Sequence, residues 1–503
     1  MANPLENHAR NTRKFSILLA VAVLFVATRC FLALWYQASG SDAVFYGIDA
    51  LEFREAIHKG VSVYEIHQKM ELAKAKRNGV TDLPKQQQIM EYPPLAILWE
   101  SLPAFFVGGD QALDGFTQAA HAAWTHLFKI FYLAFDLAVF LALLWLLFRP
   151  TAFLKVDATG LALYTITGAV LGHFLYDRQD LFLGGLIFLS LVLLLSRLHW
   201  TAAFFMLAAG INFKLVPALL VPIFVIGSLP AGYHECLYRD FFNRGFLQAL
   251  FLRISFLAAM VMLIFAPFYL WAGKATLDFL TYHGERGLQL ESTYSSLLMV
   301  LSYLGLPVHV SHGFGAYNID SPLAPFFVAI STPLVAILVL GIALVLIVAI
   351  KRHFSSPSSN PPLSRSTGLR ERNLAQTLPQ TFIGLTIATM LAGISAAKVF
   401  SAQYIIWVIP LFALLAYGNK RARIIGAVFA AVCLFTAAIP EYYFTEFIHH
   451  PMKLPDGSVL WAAPTPAAVS ILLSRNLMLV ALTIMLIYSA LPGHRFEPQA
   501  RRT

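Results

Sequence analysis

Residues 283 to 294 read His-Gly-Glu-Arg-Gly-Leu-Gln-Leu-Glu-Ser-Thr-Tyr, a polar stretch between two long apolar runs. An ionisable group at membrane depth costs roughly 2.5–3.5 kcal/mol to insert, so His283, Glu285, Arg286 and Glu291 read as marks of a site. Similar punctuation recurs at Asp49, at Asp177-Arg178-Gln179-Asp180, at Lys214 and at Lys398. Arg286 lies between Gly284 and Gly287, where backbone can approach a ligand and a guanidinium can grip a phosphate with two bonds. An Arg286–Glu291 pair tying down the loop is the structural alternative. Lys214 precedes Pro217, which can break a helix there. It suits a phosphate, or it snorkels along apolar surface.

The acids suit proton transfer or sugar binding. Asp49, with Asp42 as a neighbouring alternative, can accept a proton from a hydroxyl. Either can equally cap a helix or sit solvated. Asp177 and Asp180 are three apart and fit one helical face. Arg178 between them can hold an anion or neutralise both, and a structural ion-pair cluster is the alternative. Lys398 precedes Phe400-Ser401-Ala402-Gln403-Tyr404, and Gln403 lies one turn from Trp407. For Lys398, Tyr404 and Trp407 a membrane-interface anchor explains the pattern as well. His283, His312, His449 and His450 lack metal-ligand spacing, so neither a metal nor another cofactor is expected.

Placing such groups requires long apolar elements, and the composition supplies them. Hydrophobic residues are 58% of the 503 and charged residues 13%, against about half and a quarter in a soluble domain. The apolar residues fall in runs long enough to cross a bilayer, not in the short alternating segments of a barrel. The expected fold is an all-α polytopic membrane bundle of about 11–13 crossings. The net charge of +9 comes from basic residues clustered between apolar runs, as the positive-inside rule expects, and does not point to nucleic acid. Cys30, Cys236 and Cys433 form no disulfide framework or zinc spacing. No Gly-rich phosphate loop precedes a helix, which leaves nothing for a soluble nucleotide.

Along the chain, a retained first helix over about 15–37 leads into a polar outer loop, 38–92. Ala50, Leu51, Phe53, Ala56 and Ile57, then Gly60, then Val63, Ile66, Met70 and Ala73 predict two short amphipathic helices in that loop. Further crossings are expected near 126–148, 158–176, 180–196, 200–213, 215–229, 247–270, 294–306, 323–349, 380–397, 402–417, 423–440 and 466–489. Residues 94–125 either cross and return or only dip. A single transmembrane domain thus covers 1–490, with a Ser/Pro-rich flexible cytoplasmic loop at 355–380 and a basic cytoplasmic tail at 491–503. The basic loops predict cytoplasmic termini. All five polar interruptions then fall on or near the outer side.

These residues carry a resemblance. Asp49 to Tyr64 through Gly60, Glu91-Tyr92-Pro93-Pro94-Leu95, Tyr176 to Asp180, Lys214 to Pro217, Arg286 to Ser292 and Lys398 to Trp407 come in an order similar to that of the GT-C superfamily of membrane glycosyltransferases. The chain most resembles the glycosyltransferase 87 group, the bacterial polyprenol-phosphate-mannose-dependent mannosyltransferases. The likeness runs from about residue 15 to 440. It differs at Asp177-Arg178-Gln179-Asp180, where the family often has Gly-Gln-Asn.

The resemblance implies a GT-C-type bundle in the bacterial plasma membrane with its active site at the outer face. It implies a polyprenyl-phosphate sugar donor, a lipid or glycan acceptor, membrane lipids as surroundings, and inversion at the anomeric carbon. The family's essential acid maps to Asp49, with Asp42 as alternative. Lys214, Arg286, Arg178 and Lys398 are then the cations for the donor phosphate. Asp177, Asp180, His283, Glu291, Gln403 and Tyr92 are the groups for sugar or acceptor. The rival expectation is a transporter or lipid flippase. A proton-coupled carrier wants an acid within a crossing, and Asp136 is the one placed for it, with a buried helix–helix contact as its structural alternative.

Overall fold

The computed structural model describes residues 4–36, 43–79, 83, 88–107, 118–150, 154, 156–196, 200–229, 244–355, 367–442, 452–453, 459–460 and 464–491. Helix dominates. Among the described residues seven helical spans are long and apolar enough to cross a membrane: Phe15–Leu34, Ala122–Phe148, Arg244–Glu285, Ala324–Arg352, Leu378–Ala396, Lys420–Ile439 and Pro466–Ala490. The chain is a multi-pass helical membrane protein. Large apolar side chains such as Leu263, Ile337, Leu344 and Ile484 stand exposed along these spans, as a lipid-facing surface requires.

The seven spans belong to α1 (Pro4–Leu34), α5 (Gln118–Phe148), α10 with α11 (Arg244–Ala272 and Asp278–Glu285), α13 (Ala324–Ser355), α14 (Thr367–Ala396), α16 (Lys420–Tyr442) and α17 (Pro466–Ala490). Between them lie shorter helices: α2 (Ala43–Lys59), α3 (Val63–Arg77), α4 (Pro94–Ser101), α6 (Ala158–Leu171), α7 (Asp180–Leu195), α8 (Trp200–Phe213), α9 (Val221–Gly227), α12 (Thr293–Ser302) and α15 (Ile409–Phe412). At 1.5 Å per residue, the 14 residues of α6 or α8 rise about 21 Å, short of a hydrocarbon core of about 30 Å.

The expectation of 11–13 crossings includes these shorter apolar helices, whereas seven spans among the described residues are long enough by themselves. The run at 402–417 is a 3-10 helix, Ala402–Val408, followed by one α-helical turn, and both are buried. The span Leu378–Ala396 is 94% buried while Arg244–Glu285 is 17% buried. The first is the centre of the bundle and the second its lipid-facing edge. The apolar runs hold both kinds, because a helix buried in protein and one buried in lipid are equally hydrophobic.

The segment after α1 holds the two helices expected of it. α2 ends at Gly60, whose φ of +65° suits the turn, and Ser62 caps α3 by accepting from the Tyr64 amide. Phe53, Ala56, Val63, Ile66, Met90 and Ile97 bury against one another and tie the segment to α4. After Pro93, α4 continues as a 3-10 helix to Phe106, a dip too short to cross. The expected linker at 355–380 is helical from Thr367 onward, and its middle, 356–366, lies outside the described residues, as do 492–503 of the tail.

The bundle also carries a hairpin absent from the all-α expectation. His309–Gly313 pairs antiparallel with Ala316–Asp320. Its second strand also bonds the 283–292 loop, with Leu290 donating to Tyr317 and Ile319 donating to Leu288.

Candidate functional site

The break between α8 and the 3-10 helix Val216–Leu220 sets the first cation. Lys214 still donates its amide to Gly210, but Pro217 cannot continue the helix. The chain turns, and the Lys214 ammonium lies 2.7 Å from Asp180 Oδ1. Asp180 opens α7, where the N-terminal dipole favours a carboxylate. Trp407 Nε1 donates to the same oxygen at 2.6 Å. A Cβ on Gly184 would meet Ile406 O at 3.0 Å, so this glycine lets the 402–408 segment close on α7. Asp180 is 0% exposed, and its Oδ2 has no hydrogen-bond partner. Lys214 also lies 5.3 Å from the centre of the Tyr92 ring and 5.9 Å from that of Trp407, within cation–π range.

The second cation, Arg286, is buried and pairs with Glu91 at 3.3 Å. Tyr282 hydroxyl also bonds Glu91, and the His283 ring bonds its backbone. Burial raises the Glu91 carboxyl, against the pull of Arg286 and Lys214. Its side chain is 32% exposed, so water limits that rise. Lys398 donates to Gly284 O at 2.7 Å. Burial and the charge of Arg286 lower its ammonium. Arg178 is half-buried. Burial pulls it down to about 10, opposed by Asp180, Glu291 and Tyr404. Tyr404 stacks on Trp407 with ring centres 4.2 Å apart.

Asp49, Glu52 and His67 form one end of the cluster. Asp49 sits in the middle of α2, not at a cap. Burial and the charge of Glu52 push its carboxyl up to about 8, with His67 pulling the other way. His67 Nδ1 is 2.8 Å from Glu52 Oε2. Burial alone would lower the imidazole, but the bond and charge of Glu52, joined by Asp49, raise it to about 9. Glu91 and Glu100 bridge this end to the cations: the charge of Glu91 reaches Asp49, and Glu100 feels both Asp49 and Lys214.

Several sequence expectations are revised. Asp177 and Asp180 do not share a face. Asp177 lies in the turn before α7, 2.8 Å from Lys129 Nζ. That contact is charge against charge, since neither Asp177 oxygen has a hydrogen-bond partner. Arg286 does not pair with Glu291. Glu291 binds Arg475 at 2.7 Å, and Arg475 is itself stacked 4.0 Å over Phe400. Trp407 is 1% exposed, which removes the interface-anchor reading. Gln403 is buried. Asp42, His449 and His450 lie outside the described residues, and His312 meets Tyr317 edge-to-face within the hairpin.

Three functional groups escaped the reading of spacing. Glu100 is 0% exposed and both its carboxylate oxygens lack a hydrogen-bond partner. Arg475 is a lone cation inside α17. A single charge in an apolar run was the signal available for both. The pair of Glu52 and His67 left no such signal, because its members come from different helices.

Asp136 is different in kind. It accepts from Arg29 Nε at 3.0 Å, from Tyr176 hydroxyl at 2.7 Å and from Tyr164 hydroxyl by a short bond. Arg29 spends its remaining donors on Thr165 O, Tyr164 O and Thr28 Oγ1. This is a closed helix–helix contact. Compared with family models, with curated proteins and with solved structures, the chain matches none.

Proposed function

We propose that the chain is a membrane glycosyltransferase of the GT-C type. It moves a hexose, mannose foremost, from polyprenyl phosphate to a hydroxyl of a lipid or glycan at the outer face of a bacterial plasma membrane, with both termini cytoplasmic. The supporting observation is the convergence of Lys214, Arg286, Arg178 and Lys398 with Asp49, Glu91, Glu100 and Asp180, drawn from distant parts of the chain. Such a mixture fits phosphoryl-sugar chemistry. An anionic leaving group needs cations, and a hydroxyl nucleophile needs a base.

In the reaction as proposed, the acceptor O–H gives its proton to Asp49. The oxygen forms a bond to the anomeric carbon from the face opposite the phosphate. The carbon–oxygen bond to phosphate breaks, and polyprenyl phosphate leaves with the electron pair. Lys214 and Arg286 receive the charge that develops on that phosphate. Tyr92 flanks Lys214 and is half-buried, so it offers an aromatic face on which a sugar ring can stack. Asp180, with one free oxygen, can accept from a sugar hydroxyl.

The transporter reading draws no support from Asp136, whose carboxylate already receives three donors. The test is transfer from labelled polyprenyl-phosphate mannose in membranes. Asp49→Asn should express normally and lose transfer by about 10²–10⁴-fold. Retained transfer there, with loss in Asp42→Asn, would move the base to Asp42. No labelled product from the wild-type chain would count against the enzyme reading.

A further inference from the structure

We propose that Asp49, Glu52 and His67 bind one divalent metal ion of the class that takes mixed imidazole and carboxylate ligands, Zn²⁺ foremost. One ligand atom from each of the three lies within 4.8 Å of the other two. Asp49 and Glu52 are three apart on α2, so they share a helical face. His67 comes from α3, which the turn at Gly60 folds back against that face.

The bonding within the cluster is incomplete. Glu52 is 1% exposed, and its Oε1 has no hydrogen-bond partner, while Oε2 meets His67. Among the described residues Asp49 makes no hydrogen bond or ion pair. A buried carboxylate oxygen without a donor is costly, and a cation removes that cost. Two carboxylates also neutralise a divalent charge, so the filled site carries no net charge.

The donor set selects the metal. One nitrogen and two carboxylate oxygens suit zinc, with zinc–nitrogen bonds of about 2.0–2.1 Å and zinc–oxygen bonds of about 2.0–2.2 Å. Magnesium and calcium prefer all-oxygen shells. Three protein ligands would leave a zinc ion one open position, and Asp49 ligating through one oxygen keeps the other for the proton of the proposed transfer. Around the cluster, Glu71 and Glu91 add negative charge that is felt at Asp49, which further favours a cation there. A protonated His67 sitting between the carboxylates is the competing arrangement, and it excludes the metal.

The experiment needs no sugar substrate, so its outcome is separate from that of the transfer assay. The full chain, purified in detergent with a tag that contains no histidine, is stripped with EDTA, dialysed and titrated with Zn²⁺. Mg²⁺ serves as control, and bound metal is counted by mass spectrometry. We expect about one Zn²⁺ per chain and no stoichiometric Mg²⁺. Glu52→Gln and His67→Gln should each weaken Zn²⁺ at least about 100-fold while remaining monodisperse and helical. Should one of them fail to fold, Asp49→Asn supplies the same reading. Absence of stoichiometric Zn²⁺ on the wild-type chain, or equal Zn²⁺ on the folded variants, would overturn the site in favour of the protonated-histidine arrangement.

Discussion

Arg29–Asp136 and Lys214–Asp180 are both ion pairs of about 3 Å or less in the interior of one bundle, yet they are built to opposite ends. In the first, Asp136 receives three donors, and Arg29 finds two backbone acceptors on α6 and the Thr28 hydroxyl on its own helix. A Cβ on Gly168 would stand 2.1 Å from Arg29 Nη2, so even the backbone makes room for the guanidinium. In the second, Asp180 keeps one oxygen free, Glu100 keeps both, and Gln179 beside them leaves its amide nitrogen and oxygen unmatched. Closure marks a charge kept for packing. Unmet bonding capacity marks a place where another molecule is expected, since buried polar groups are otherwise satisfied.

That contrast can be broken from either side. Arg29→Ala strands the Asp136 carboxylate in a dry interior. It should cost about 3–5 kcal/mol of stability, read by denaturant unfolding in detergent, with transfer per folded molecule unchanged. Arg29→Met combined with Asp136→Leu should recover most of that loss, because a packed apolar pair replaces a satisfied ionic one at little cost. Lys214→Gln should do the reverse. Loss of a cation at the leaving phosphate should lower transfer by about 10²–10³-fold, with a smaller loss of unfolding stability than Arg29→Ala, because Trp407 still donates to Asp180. If Lys214→Gln unfolds the protein as readily as Arg29→Ala, the two pairs are alike and the distinction fails.

Between these extremes lies Trp407→Phe. It keeps the stack on Tyr404 and the neighbourhood of Lys214 but deletes one donor to the Asp180 carboxylate. A hydrogen bond to a charged group is worth about 1.5–3 kcal/mol. Thermal unfolding should fall by an amount near the lower figure, since Lys214 continues to hold the same oxygen.

The sequence showed which charges stood in the wrong solvent, but not which partner each would take. The run from His283 to Ser292 and the Lys214–Pro217 break were legible as interruptions of apolar helix, and both contribute to the cluster. Their pairing was not legible. Arg286 reaches back 195 residues to Glu91 and Arg475 reaches 184 to Glu291, while spacing along the chain favoured the local Arg286–Glu291 pair. The number of crossings was hard to read for a related reason. Composition does not separate a helix that faces lipid from a short one enclosed by other helices, and α6 to α9 are of the second kind in length.

The smallest effect concerns protons at the Asp49 end of the cluster. With no metal bound, burial and the charge of Glu52 raise Asp49 from 3.8 to about 8, and the bond and charge of Glu52 raise His67 from 6.5 to about 9 against the effect of burial. Both groups therefore bind protons more tightly folded than unfolded. A raised value contributes stability fully below the unfolded pKa and loses it as pH climbs through the folded one. The Asp49 share fades between pH 3.8 and about 8, and the His67 share between 6.5 and about 9. Since Glu52 links them, the cluster titrates as a unit. The melting temperature should fall from pH 6.5 to pH 9, and His67→Gln should flatten that slope. Arg29→Ala, made away from this cluster, should lower the whole curve without changing its slope. A melting temperature that rises across this range would mean that the cluster does not bind protons more tightly when folded, and the two regions would no longer differ.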